Sequence, residues 1–196
     1  MNPVMGLHAS PAWVEPLLKG QGRLLERLAA GASLTEILED LCLLVEAHCP
    51  LKKCAVLLVE GGDHFRIGGA PTLPEIFRTG VDGSGLGPGT TPCGLAARLR
   101  QEVTVQDIQT DPDWAHAAPL AQALALHGVV SIPILGGADQ VLGTFALYQR
   151  LPGAFPEEEL ELVRACVGMA SIAIRHHQRQ DQDQRAIEAR LRVEDR

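Results

Sequence analysis

Apolar and polar positions along the chain divide it into helical and strand-like stretches. Leu17, Leu24, Leu25 and Leu28 recur at helical spacing, which predicts an amphipathic helix within residues 13–32, stopped by Gly31. Ser33 followed by Glu36 is a capping box, and Leu34, Ile37, Leu38, Leu41 and Val45 supply the apolar stripe of a second helix. Residues 54–60 and 63–67 read as two strands joined by Gly61-Gly62, a β-hairpin signature. A short helix is predicted near residues 74–79, and the glycine-rich run 82–89 is a loop.

Thr91-Pro92 starts a further helix, with threonine as the cap and proline at the first helical position. Residues 103–107 form a strand, and Asp111-Pro112 opens a helical stretch predicted to reach His127. Residues 129–135 and 141–148 are two strands joined by a short turn. Pro133 belongs at an edge or bulge because it cannot donate to a ladder. Three glutamates after Pro156 begin a long helix with Leu160, Val163, Val167, Ala170 and Ile174 on its buried face. Beyond Ile174 the chain turns polar, with Ile187 and Leu191 among its few apolar points. Tight turns between paired strands predict a largely antiparallel sheet flanked by helices, an α+β fold. The expected organisation is a loose tail over 1–12, a helix over 13–32, a domain over 33–174 and a polar linker helix over 175–196.

Composition narrows the functional classes. The 196 residues are 46% hydrophobic and 21% charged, enough to bury a core without metals or disulfides. The net charge of −7 argues against a nucleic-acid binder, which needs clustered Lys and Arg. No stretch approaches the ~20 apolar residues of a membrane span, and the first eighteen residues lack the pattern of a signal peptide. Cys42, Cys49, Cys54, Cys93 and Cys166 form no CxxC pair and are odd in number. They indicate neither a zinc site nor a disulfide framework, and suit reduced thiols in the cytoplasm.

The order and spacing of Leu86-Gly-Pro-Gly89, Cys93-Gly94-x-Ala96-Ala97, Val105-x-Asp107-Ile108-x-x-Asp111-Pro112-x-Trp114, Gly128-x-x-Ser131-x-Pro133-Ile134 and Val141-Leu-Gly143-x-Phe145 resemble a bacterial GAF domain. The resemblance runs over about residues 33–174 and is greatest to GAF domains attached to cyclic-di-GMP enzymes and histidine kinases. It implies a profilin-like central antiparallel sheet, with a ligand cavity on one face and helices on the other. The implied role is non-enzymatic sensing of a small molecule or of redox state. Relay would run through the terminal helices to a homodimer partner or to an output domain, a diguanylate cyclase, a phosphodiesterase or a histidine kinase. The Cys-His pair of bilin-binding members is unmatched here, as are the Asn-Lys-Phe-Asp-Glu set of cyclic-nucleotide binders and the cooperating cysteines of free methionine sulfoxide reductases. Ligand and cofactor are therefore left open. A ligand-free dimerisation module and a thiol enzyme are the competing readings.

The candidate ligand-binding residues are Cys93, Gly94, Asp107, Trp114 and Ser131. Cys93 in the first turn of a helix is expected to have a lowered thiol pKa, or else to be a small packed residue. The amides of Cys93 and Gly94 can hold an anion unless Thr91 caps them. Asp107 either faces the cavity or serves turn chemistry. Trp114 either walls the pocket or packs a short helix. Ser131 either donates to a ligand or bonds within the sheet. A lone His127 is more often structural than a haem ligand, and His176-His177 reads as solvated, since adjacent helical residues point apart.

Overall fold

A computed structural model describes residues 12–87, 89–137 and 140–194. The tail expected over 1–12 lies outside the described residues except for Ala12. The chain runs α1 (Val14–Ala29), α2 (Leu34–His48), β1 (Lys52–Glu60), β2 (His64–Gly69), α3 (Glu75–Val81), α4 (Pro92–Leu99) and β3 (Val103–Val105). A 3₁₀ turn (Pro112–Trp114), α5 (Ala118–Ala123), β4 (Gly128–Leu135), β5 (Val141–Gln149) and α6 (Glu157–Glu194) follow.

The five strands make one sheet in the order β2-β1-β5-β4-β3, with every pairing antiparallel. The central pair β1 and β5 is joined through Lys52↔Gln149 to Leu58↔Gly143. Gly143 is dictated by this approach: a Cβ there would stand 2.1 Å from the Leu57 carbonyl oxygen. Pro133 lies two residues past the end of the β3 pairing, at Ser131, where β4 is locally an edge. A bulge follows between Ile134 and Leu135.

Both faces of the sheet are covered, so Cys54–Leu58 is buried without alternation. On one face Val56, Leu58, Val130, Ile132 and Leu147 pack against α1, α2 and α6. On the other, Leu57, Val129, Ala146 and Tyr148 pack against α3, α4, α5 and their connections. Residue parity along each strand decides the layer to which a side chain belongs.

Helix α2 begins as expected. The Ser33 hydroxyl accepts from the Glu36 amide, and the Glu36 carboxylate accepts from the Ser33 amide at 2.9 Å. Donation from the Ser33 hydroxyl to the carboxylate at 2.8 Å, first, and then from the Ser33 amide holds the Glu36 carboxyl below its ordinary range. In α1 the buried stripe is Leu17, Leu24 and Leu28, whereas Leu25, expected within it, is 63% exposed. At about 100° per residue, position 25 turns away from the face shared by 17, 24 and 28.

The helix predicted from Pro112 to His127 is instead a 3₁₀ turn and a separate six-residue helix. Pro119 explains the break, because proline within a continuing helix removes a bond and clashes with the preceding turn. Placed in the first turn of α5 it is tolerated, and Ala125 with φ +51° ends that segment.

Helix α6 runs for 38 residues. Leu160, Val163, Cys166, Met169, Ala170, Ala173 and Ile174 are buried, whereas Val167 is half-buried. Residues 178–192 are exposed all round. No described helix is long and apolar enough to cross a membrane.

Candidate ligand site

A small hollow of about 50 Å³ lies between α4, α5 and the sheet. Its floor is Leu57 of β1, Val129 of β4 and Tyr148 of β5, which register and parity bring onto one face. Helix α4 contributes Pro92 and Cys93, α3 contributes Phe77 and Val81, and α5 with its flanks contributes Leu120, Ala121 and Leu124. Ile108 and Leu126 close the side. The described lining residues include no Asp, Glu, Lys, Arg or His.

Thr91 caps α4 as the sequence indicates, its hydroxyl accepting from the Gly94 amide at 3.3 Å. That bond occupies the Gly94 amide, so the site does not present it for an anion. Gly94 is required by close packing: a Cβ there would lie 1.8 Å from the Thr90 hydroxyl oxygen and 2.8 Å from the Thr90 Cβ. Thr90 is in turn held by donation to the Gly85 carbonyl at 2.6 Å.

The Cys93 sulfur points inward, 3.4 Å from the Tyr148 hydroxyl. The residue is 2% exposed. Burial pushes the thiol pKa up, and hydroxyl groups of Ser131, Tyr148 and Thr144 partly offset this by favouring the thiolate. Of the two alternatives for Cys93, the structure shows the small packed residue, and its thiol is raised rather than lowered. The helix-terminal position is real, but the sulfur is sealed in the interior, and desolvation of a buried anion outweighs a dipole whose effect fades within one turn. Burial likewise pushes Tyr148 well above its ordinary range. Ser131 and Thr144 are fully buried on the same face of the sheet as Tyr148 and turn their hydroxyls to the Cys93 sulfur, and neither residue lines the hollow.

The remaining candidates lie elsewhere. Asp107 does not line the hollow: its carboxylate accepts from the Gln109 amide at 3.1 Å and the Thr110 hydroxyl at 2.9 Å, and meets His127 Nδ1 at 2.8 Å. This is the turn-chemistry alternative, and it occupies His127 as well. Trp114 is buried in the same apolar layer but does not line the hollow. His176 and His177 differ in setting from a solvated pair. His177 Nε2 lies 3.0 Å from the Ala32 carbonyl, tying α6 to the α1–α2 connection, and His176 Nε2 is buried without a partner.

Tyr148 and Thr144 were not distinguishable as site residues from sequence. Only the register Val129↔Tyr148 and Pro133↔Thr144, continuing from Ser131↔Ala146, shows that they share the Ser131 face. The other four cysteines are buried, and Cys42, Cys54 and Cys166 belong to the opposite layer together with Cys49. Among the described residues no cluster of His, Cys, Asp or Glu is arranged to hold a metal ion.

The geometry agrees with known proteins. A methyl sulfide methyltransferase-associated sensor from Methanosarcina acetivorans is 34% identical over 168 residues, an alignment covering 85% of this chain and 17% of that protein. The chain thus spans about a sixth of the length of this curated relative. The GAF domain of a phosphoenolpyruvate-protein phosphotransferase from Coxiella burnetii superimposes with a TM-score of 0.66 at 19% identity, covering 85% of this chain and 96% of that one. The phycoerythrobilin-bound GAF domain of a cyanobacterial phytochrome gives 0.63 at 14%, covering 84% and 97%. The reduced form of fRMsr from Staphylococcus aureus gives 0.63 at 15%, covering 89% and 99%. At these identities the structural likeness establishes the fold alone. The GAF domain family model matches residues 31–175, and with the sensor relative this settles the classification: the chain belongs to the GAF domain family.

Proposed function

We propose that this GAF domain is a non-enzymatic sensory module that binds a small molecule in the hollow under α4 and α5 and relays occupancy through α6. The observation that carries the reading is the arrangement on β4 and β5. Val129 and Tyr148 line the hollow, while their neighbours Val130 and Leu147 pack in the layer of α6. Displacement of one face of these strands is transmitted to the other because close-packed interiors do not absorb it. A sensory role is also consistent with the name of the relative from Methanosarcina acetivorans.

The relay partner in this reading is a second copy of the chain or an output domain of a signalling protein. Leu18 and Leu25 of α1 and Ile172, Ile187 and Leu191 of α6 are more than half exposed, and such positions gain from burial against another helix. Ligand binding rather than thiol chemistry is favoured, because a buried, raised Cys93 is a weak nucleophile. A ligand-free dimerisation module draws support from the small volume of the hollow.

Native mass spectrometry of protein purified from its host, combined with hydrogen exchange, tests the proposal. The expected result is a retained molecule whose removal speeds exchange in β4, β5 and residues 157–177. A bare polypeptide mass with exchange unaffected by any added extract fraction would reject sensing in favour of the dimerisation module.

A further inference from the structure

We infer that the hollow selects a small apolar molecule of about two to four heavy atoms, one that carries neither a charge nor a hydrogen-bonding group. This rests on the proposed reading of the hollow as a ligand site and names the chemical class it takes.

The polar atoms beneath α4 are committed to one another. The Cys93 sulfur meets the Tyr148 hydroxyl at 3.4 Å, and the Ser131 and Thr144 hydroxyls turn to the same sulfur from outside the lining. The Thr91 hydroxyl caps α4 by accepting from the Gly94 amide. Every other lining side chain is that of a Leu, Ile, Val, Ala, Pro or Phe. A hydroxyl or carboxylate on the ligand would be stripped of water with nothing in the wall to replace it. Water itself is a poor competitor, because a buried water needs two to four polar partners.

Size follows from the volume of about 50 Å³. That is a third of the roughly 150 Å³ of an engineered apolar cavity that takes benzene, so the occupant is smaller than a benzene ring. One part of the wall is stiff: the Phe77 and Tyr148 rings meet edge to face with centroids 5.5 Å apart. Another part is carried by α5, a helix of six residues that ends before Ala125 at φ +51°. Its Leu120 lies close over α3 because Gly80 has no side chain, and a Cβ there would stand 2.9 Å from Leu120 Cδ2. An apolar guest gives such side chains the dispersion contacts that a void denies them.

Tyr148 is the sole tyrosine and reports directly on the hollow. Protein labelled with ¹³C-tyrosine would be titrated with xenon, cyclopropane, ethanol and acetate while the Tyr148 resonances are followed, and hydrogen exchange would be measured with and without cyclopropane. The expected result is a saturable shift with xenon and cyclopropane, no response to acetate, and slower exchange in residues 157–177. Cyclopropane should bind about ten-fold or more tightly than ethanol, which has as many heavy atoms but needs a hydrogen-bond partner. Ala121→Leu, which fills the hollow, should abolish the xenon and cyclopropane responses, and Leu124→Ala, which enlarges it, should admit benzene. Circular dichroism checks that each variant is folded. Ethanol or acetate binding as tightly as cyclopropane would overturn the inference and leave the ligand site standing. Failure of every probe, xenon included, to move Tyr148 would overturn both this inference and the ligand-site reading beneath it. Saturable filling by cyclopropane with exchange in 157–177 unchanged would overturn both as well, since it marks a packing void.

Discussion

His127 Nδ1 and Asp107 Oδ1 lie 2.8 Å apart, joining the turn after β3 to the entrance of β4. The same turn is fastened by donation from the Ile108 amide to the His127 carbonyl at 2.7 Å. One wall of the hollow, Ile108, therefore hangs on a polar clasp that lies outside it.

The clasp predicts a pH dependence. Hydrogen bonding to His127, first, and then to Thr110 and Gln109 holds the Asp107 carboxyl below its ordinary value of 3.8. A depressed folded-state pKa stabilises the protein above the unfolded value, and the contribution is lost as pH falls through the folded value. Asp107→Asn should lower Tm at pH 7, and the gap from wild type should narrow below pH 3.8. Thermal melts of both proteins across pH 2.5–7 provide the check; a gap constant with pH would contradict the charge-based account.

Thiol labelling should be slow in the native state. Burial raises Cys49 and Cys166 to about 12 and moves Cys42, Cys54 and Cys93 upward as well. Thiolates are the reacting species, so alkylation by iodoacetamide at pH 8 should be at least ten-fold slower in the folded protein than in denaturant. Peptide mass spectrometry resolves each site. A fast Cys93 would mean that α4 opens readily.

Gly94→Ala should destabilise the fold by about 1–3 kcal/mol, the usual range for overpacking, because the new methyl collides with Thr90. Combining it with Thr90→Gly should recover part of that loss, giving a coupling energy measurable in a denaturant double-mutant cycle. Purely additive losses would show that the collision is not the cause.

Removing residues 178–196 should leave Tm within about 2 °C of the full chain, since the described side chains of 178–192 bury nothing. In light scattering the full chain should associate and the shortened one should associate less, if α6 pairs as proposed. A large loss of Tm in dilute protein would instead show that this segment stabilises the monomer.

Elements whose signals are local are legible in the sequence. The Ser33–Glu36 box, the Thr91-Pro92 start and the Gly61-Gly62 hairpin each depend on residues within a few positions of one another, and each formed as read. Antiparallel pairing followed from the short turns. The helix read from Asp111-Pro112 to His127 does not form as one piece, because the ring of Pro119 permits only a fresh start there. The site was harder to read because its properties are nonlocal. A cysteine at a helix start invites an activated thiol, yet burial against the sheet decides the outcome, and strand register alone brings Tyr148, Ser131 and Thr144 beneath the sulfur. Asp107 could not be assigned to turn or cavity until His127 was seen opposite it.

The continuity of α6 has a mechanical consequence. At 1.5 Å per residue, 38 residues make a shaft of about 57 Å, of which roughly the first half is clamped to the sheet. The free part, from residue 178 onward, extends about 25 Å from its clamp, so a tilt of 5° at the anchored end sweeps its tip through roughly 2.2 Å. In the proposed relay, a small side-chain adjustment beside Tyr148 would arrive at the far end as a movement large enough to change how two such shafts mesh.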